Sequence, residues 1–272
     1  MSRLSFAKGH GTENDFIVIR DRHNMTPLTP EMVRWICDRH AGVGSDGLMR
    51  AVKAERMPEW TGDPNLWFMD YWNPDGSLAE MCGNGLRVFV RYLMEEDLVP
   101  RSEVVIATRA GLRTVWEQPG GWLRVGMGPA TIGEPTWVKA KKQRFDAVKV
   151  SVGTPHVVAM LPDDFDLADI KLWSGVSFDA AVFPSGANAE FVKVIGDHQL
   201  QMRVFERGAG ETRSCGTGVV AAATVARHLA GGDAPWTVDV PGGRLRVDFD
   251  AEQAYLTGPA VIVARGDLIM PD

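Results

Sequence analysis

The tetrapeptide Cys-Gly-x-Gly occurs twice, as Cys82-Gly83-Asn84-Gly85 and as Cys215-Gly216-Thr217-Gly218, and each copy opens an apolar helical stretch. Setting Cys82 over Cys215 aligns Asp70-Tyr71-Trp72-Asn73-Pro74-Asp75-Gly76 with Arg203-Val204-Phe205-Glu206-Arg207-Gly208-Ala209. Each copy then reads strand, polar turn, cysteine, helix. Upstream, Asn14-Asp15-Phe16-Ile17-Val18 falls in the same way over Thr154-Pro155-His156-Val157-Val158, both beginning apolar runs. Such a pattern is expected of two lobes that are copies of one unit. The break at Gln118-Pro119-Gly120-Gly121 separates them near mid-chain. The segment beyond Thr257-Gly258-Pro259 is expected to return to the first lobe, which gives residues 1–119 plus 259–272 and residues 120–258.

Short β-branched and aromatic runs at 16–19, 66–72, 103–107, 123–125, 156–160, 191–195, 202–205, 237–240 and 261–264 predict strands. Helices are predicted over 31–38 after Thr29-Pro30, from 82 to about 94, and from 215 to about 229. This mixture is α+β rather than a regular βαβ series. The helix after Cys82 places Leu86, Phe89, Val90 and Leu93 on one face and Arg87 and Arg91 on another, so it is expected to be half buried. The helix after Cys215 is apolar nearly all round and is expected to run through a lobe's interior.

Composition excludes several roles. The chain carries 29 basic and 35 acidic residues for a net charge of -6, and no run of Lys/Arg stands out as an electrostatic footprint, which argues against nucleic-acid or anionic-membrane partners. No apolar stretch reaches the length of about 18 residues that a spanning helix needs, and the start has no signal-peptide pattern, so a cytoplasmic protein is expected. The three cysteines, Cys37, Cys82 and Cys215, are too widely spaced for a disulfide framework or a zinc knuckle, and the six histidines offer no ligand set. Neither a phosphate loop nor a pyridoxal phosphate motif is present.

Cys37, within Trp35-Ile36-Cys37-Asp38, reads as a packed small hydrophobe. Cys82 and Cys215 read otherwise. The first amides of a helix have no intrahelical partner and favour an anion, and a thiol placed there is expected to be part thiolate. The flanking glycines let a substrate carboxylate approach those amides without meeting a Cβ. If both thiols serve one cleft, the natural chemistry is removal of a proton from one face of a carbon and its return to the other, which is racemisation or epimerisation.

The chain resembles the diaminopimelate epimerases, in wording closest to actinobacterial members. The resemblance rests on Phe6-Ala7-Lys8-Gly9-His10-Gly11-Thr12-Glu13-Asn14-Asp15-Phe16, Gly42-Val43-Gly44-Ser45-Asp46-Gly47, Asn73-Pro74-Asp75-Gly76-Ser77, Met81-Cys82-Gly83-Asn84-Gly85 and the run from Glu206 to Gly218. It implies two pseudo-symmetric lobes, each a mostly antiparallel sheet wrapped around a central helix. It also implies cofactor-independent interconversion of LL- and meso-diaminopimelate, serving lysine and cell-wall precursor synthesis, by a homodimeric enzyme acting on a small amino acid. Cys82 and Cys215 would be the acid/base thiols. Asn14, Asn73, Gly83, Asn84, Thr154, Asn188, Glu206, Arg207, Gly216 and Thr217 would bind substrate, His156 would assist, and no metal would take part. Where the family usually has Asn-Pro-His this chain has Thr154-Pro155-His156. That departure leaves open a two-thiol racemase or epimerase for histidine, proline or hydroxyproline. A redox-sensing protein with a reversible Cys82–Cys215 disulfide is a third reading.

Overall fold

Parallel neighbouring strands need a long crossover, whereas antiparallel ones need only a turn, so the parallel pairs mark where helices must enter a sheet. The structure, a computed structural model, describes residues 3–269. The chain divides into two units, Met1–Val125 with Pro259–Asp272 and Gly126–Gly258.

The first unit contains β1 (Arg3–Gly11), β2 (Asn14–Arg20), α1 (Pro30–Cys37), β3 (Leu48–Lys53), β4 (Trp67–Trp72), α2 (Gly83–Glu95), β5 (Glu103–Thr108), β6 (Gly111–Glu117) and β7 (Leu123–Gly128). The division falls between Val125 and Gly126, inside β7. The second unit contains β8 (Thr131–Ala140), β9 (Gln143–Ser151), β10 (Pro155–Met160), β11 (Val176–Phe178), β12 (Asn188–Gly196), β13 (Gln199–Glu206) and β14 (Gly210–Thr212). It continues with α3 (Gly216–Ala230), β15 (Trp236–Val240), β16 (Gly243–Phe249) and β17 (Ala254–Gly258). β18 (Val261–Ile269) then pairs antiparallel with β1, Arg3 opposite Ile269.

The ladders repeat. In the first unit β1 and β2 are antiparallel, β2 and β3 parallel, β3 and β4 antiparallel, β4 and β5 parallel, and β5 to β7 antiparallel. In the second, β9 and β10 are antiparallel, β10 and β12 parallel, β12 and β13 antiparallel, β13 and β15 parallel, and β15 to β17 antiparallel. The crossover between β4 and β5 is α2, and that between β13 and β15 is α3. The sequence repeat is thus a repeat of topology. The two copies differ at the other crossover, which α1 makes in the first unit and residues 161–187, with β11 and short 3-10 turns, make in the second. α1 starts at Thr29, whose Oγ1 accepts the Met32 amide at 3.3 Å ahead of Pro30.

α3 behaves as its composition requires. Val219 to Ala223 are all buried, and Gly231, at φ 72°, ends the helix by donating its N–H to Arg227 O at 2.9 Å. α2 departs from the half-buried expectation, because every residue from Gly83 to Met94 is buried, Arg87 and Arg91 included. Burial of a guanidinium is tolerated only if its donors are met. Arg87 donates to Pro259 O, Gly83 O and Asn84 Oδ1, and Arg91 to Glu117 Oε1 and Gly121 O. The charged face of α2 is therefore covered by strand ends and turns whose carbonyls accept it. Among the described residues no helix is long and apolar enough to cross a membrane.

Candidate active site

Each central helix begins at a cysteine in extended backbone, Cys82 at φ -141° and Cys215 at φ -122°. All three cysteines are free thiols. Cys37 is buried, its Sγ accepts the Ser45 hydroxyl at 3.3 Å, and burial raises its pKa. It is a packed, inert thiol.

In the first unit the Gly85 amide donates to Cys82 Sγ at 3.4 Å, which is the helix-start geometry expected to favour a thiolate. Asn14, the first residue of β2, has its carbonyl oxygen 3.8 Å from Cys82 Sγ and 3.2 Å from Asn84 Nδ2. Its own Nδ2 donates to Asp46 Oδ2 at 2.8 Å, and this fixes which end of the amide faces the cysteine. Arg39 in turn holds Asp46 at 2.7 Å. Arg87, one turn into α2, lies fully buried; burial pulls its pKa down to about 10, and it is still a cation at neutral pH. Asn73 is tied instead to its own turn, where its Nδ2 donates to Ser77 Oγ at 3.0 Å. The structure thus joins Asn14, Gly83 and Asn84 around Cys82.

The second unit surrounds its thiol differently. Cys215 is 6% exposed, Thr217 Oγ1 lies 3.5 Å from Sγ, and the thiol hydrogen-bonds the Glu206 carboxylate. The expectation of a lowered thiol pKa is reversed here. Burial pushes Cys215 well above the usual thiol value, and the Glu206 and Glu190 carboxylates push in the same direction, outweighing Thr217 and the Gly218 amide. Glu206, at the end of β13, is itself raised by burial, although it accepts a short hydrogen bond from Thr212 Oγ1. His156, wholly buried on β10, has Nδ1 at 2.7 Å from Glu190 Oε1 and Nε2 at 3.0 Å from Thr154 Oγ1. Asn188 accepts the Arg207 amide at 2.9 Å, while the Arg207 guanidinium reaches Ser185 O at 3.1 Å. Thr154 and His156 are therefore neighbours, as are Asn188 and Arg207, and Glu206 and Thr217 both meet the cysteine.

Sequence reasoning missed Glu190, Thr212 and Asp46. A signal for Glu190 existed. It is a carboxylate set between Ala189 and Phe191 in the buried first half of its strand, where a solvated glutamate does not belong. Among the described residues no three His, Cys, Asp or Glu side chains are grouped as metal ligands.

A raised carboxyl pKa has a defined consequence for activity. If ionised Glu206 is needed, activity falls as pH drops through that raised value, so the acid limb of kcat/KM is expected above the ordinary glutamate range. Glu206→Gln is expected to remove that limb and to cut kcat/KM by about 10²-fold, within the range for a general acid–base partner. A pH–rate profile checks this, and an unchanged acid limb in the variant would remove Glu206 from the reaction.

The fold, with its two topologically repeated units, is shared with a phenazine biosynthesis protein of the PhzF family from Bacillus anthracis. The superposition has a TM-score of 0.70 at 16% identity and covers 99% of this chain and 100% of that one, which shows the fold. Sequence goes further. The diaminopimelate epimerase family pattern matches residues 6–133 and 148–263. The chain is 45% identical to the diaminopimelate epimerase of Thermobifida fusca and 46% identical to that of Corynebacterium glutamicum strain R, in each case over 97% of this chain and 98% of the other. The chain belongs to the diaminopimelate epimerase family.

Proposed function

We propose that the protein interconverts LL- and meso-diaminopimelate with Cys82 and Cys215 as a thiolate/thiol pair. The observation that carries this reading is a cysteine at the start of each of two repeat-related helices, in a chain of this family. One thiolate takes the α-proton, the carbanion holds the electron pair, and the opposite thiol delivers its proton to the other face. The proton count is conserved, and the enzyme leaves the step with its thiol and thiolate exchanged. An amino-acid α-carbon is a very weak acid, so its carboxylate must be met by donors as charge develops. The first amides of α2 and α3, at Gly83-Asn84-Gly85 and Gly216-Thr217-Gly218, supply them. Asn14, Asn73, Asn188 and Arg207 suit the carboxylate of the second amino-acid centre, and Glu206 suits an ammonium. As proposed, the reaction needs no cofactor and no metal, and the enzyme works as a cytoplasmic homodimer.

Thr154 replaces an amide donor with a hydroxyl already engaged by His156. The relatives favour diaminopimelate over histidine, proline or hydroxyproline as substrate. Incubation with LL-diaminopimelate in deuterated water is expected to give meso product carrying one α-deuterium, with no effect of added chelator. Deuterium entering histidine or proline while diaminopimelate stays unlabelled would overturn the substrate assignment.

A further inference from the structure

The repeat sets matching positions of the two units side by side and exposes one substitution of chemistry. Placing Asn14 over Thr154 puts Phe16 over His156, and placing Asp70 over Arg203 on the ladders puts Arg50 over Phe191 and hence Met49 over Glu190. These residues lie under the helix starts. A Cβ built on Gly85 would meet Met49 Sδ at 3.2 Å and Phe16 Cε1 at 3.4 Å, whereas one on Gly218 would meet Glu190 Oε1 at 2.5 Å. Beneath Cys82 the first unit is apolar. Beneath Cys215 the second holds a histidine and a carboxylate, both with no exposed surface.

Burying that pair is costly unless it does something, because apolar residues of similar volume fill the same place in the other unit. Glu190 Oε1 is satisfied by His156 Nδ1, but Oε2 has no hydrogen-bond partner although it is buried. The carboxylate is held as an acceptor with capacity to spare, against the first turn of α3. Glycine at 218 is what lets it come so close.

We propose that Glu190 is a positioning residue for the Cys215 half of the site: it holds His156 as the Nδ1–H tautomer, with Nε2 accepting from Thr154, and its charge keeps the resting proton on the Cys215 thiol. The reading rests on the two-thiol reaction proposed above and adds an order to it. Of the two thiols Cys215 starts as the acid, which leaves Cys82, whose Sγ accepts the Gly85 amide, to start as the base. The groups facing Cys215 are Glu190 from β12, Glu206 from β13 and Thr217 from α3, with His156 from β10 bound to Glu190. Of the two carboxylates, Glu206 accepts from the thiol and Thr212, whereas Glu190 acts through His156 and through space.

The test is alkylation of the substrate-free protein by iodoacetamide across pH, with Cys82 and Cys215 peptides quantified by mass spectrometry and each normalised to its own plateau. Glu190→Gln is expected to move the Cys215 midpoint down by about one pH unit, a tenfold change in protonation, and to leave the Cys82 midpoint in place. The double variant His156→Phe/Glu190→Met copies the first unit's pair and removes both polar partners together, which is the change a buried pair tolerates best. It is expected to keep the melting temperature and shift Cys215 in the same direction, and it decides the matter should Glu190→Gln not fold. In the wild type, 15N imidazole shifts are expected to report His156 as the Nδ1–H tautomer. A Cys215 midpoint that does not move in the folded variants, equal movement at Cys82, or an Nε2–H tautomer overturns the proposal. None of these readouts uses substrate, so failure to epimerise diaminopimelate leaves them standing.

Discussion

Cys82→Ala and Cys215→Ala are each expected to lower kcat/KM for LL-diaminopimelate epimerisation by about 10³-fold or more, near the upper range for loss of a proton-transfer group. The reason lies in what each variant still has. Without Cys215 a carbanion formed by Cys82 can regain a proton only from Cys82, on the face it left, so residual exchange in deuterated water should retain configuration. Without Cys82 the same holds for Cys215 on the other face. Effects of groups that act as a unit are not additive, so the double variant is expected to lose little more than either single one. The readout is stereochemistry against α-deuterium content over time. One single variant epimerising at the wild-type rate would end the two-base account.

Asp70→Ala is expected to destabilise the first unit by about 3–5 kcal/mol, the usual cost of removing one partner from a buried ion network. Asp70 is wholly buried on β4, with Arg50 Nε at 2.8 Å on one oxygen and Arg109 Nη2 at 2.5 Å on the other. Arg50 also reaches Thr26 O at 2.9 Å and Asp21 at 3.4 Å, so loss of Asp70 leaves it only a distant carboxylate. Arg109 donates to Tyr71 O and Ala79 O, on either side of the turn that carries Asn73 and leads to Cys82. Activity per folded molecule is therefore expected to fall as well. Urea unfolding followed alongside activity tests both effects, and a midpoint equal to the wild type's would show that the network is not needed for stability.

The strands and helices were legible where pattern and burial agree. The apolar runs of β2, β4, β10 and β13 and the glycine-flanked starts of α2 and α3 are visible in the sequence for that reason. β3 is not, because Leu48-Met49-Arg50-Ala51 carries an arginine that is buried only by virtue of Asp70 and Asp21, partners far away in sequence. β8 hides for a local reason, since Gly133 and Pro135 interrupt it and its register shifts between Ile132 and Pro135. The arginines of α2 mislead in the same way as Arg50. Their neutralising carbonyls, at Pro259 and Gly121, come from turns that no helical period reveals. At the candidate site the cysteines are readable from glycine spacing alone. Glu190 needs the ladder, because only the register of β12 against β10 places it beside His156.

The pairing of β1 with β18 has a consequence for how the chain acquires its fold during synthesis. The second unit is one unbroken stretch, Gly126–Gly258, and its strands can associate as soon as that stretch has left the ribosome. The first unit cannot finish so early, since Arg3 must wait for Ile269 to pair. Its closing contact is among the most distant in sequence the chain makes, and such contacts form slowly. The half bearing Cys215 is thus set to mature first, with the half bearing Cys82 sealed only when β18 arrives.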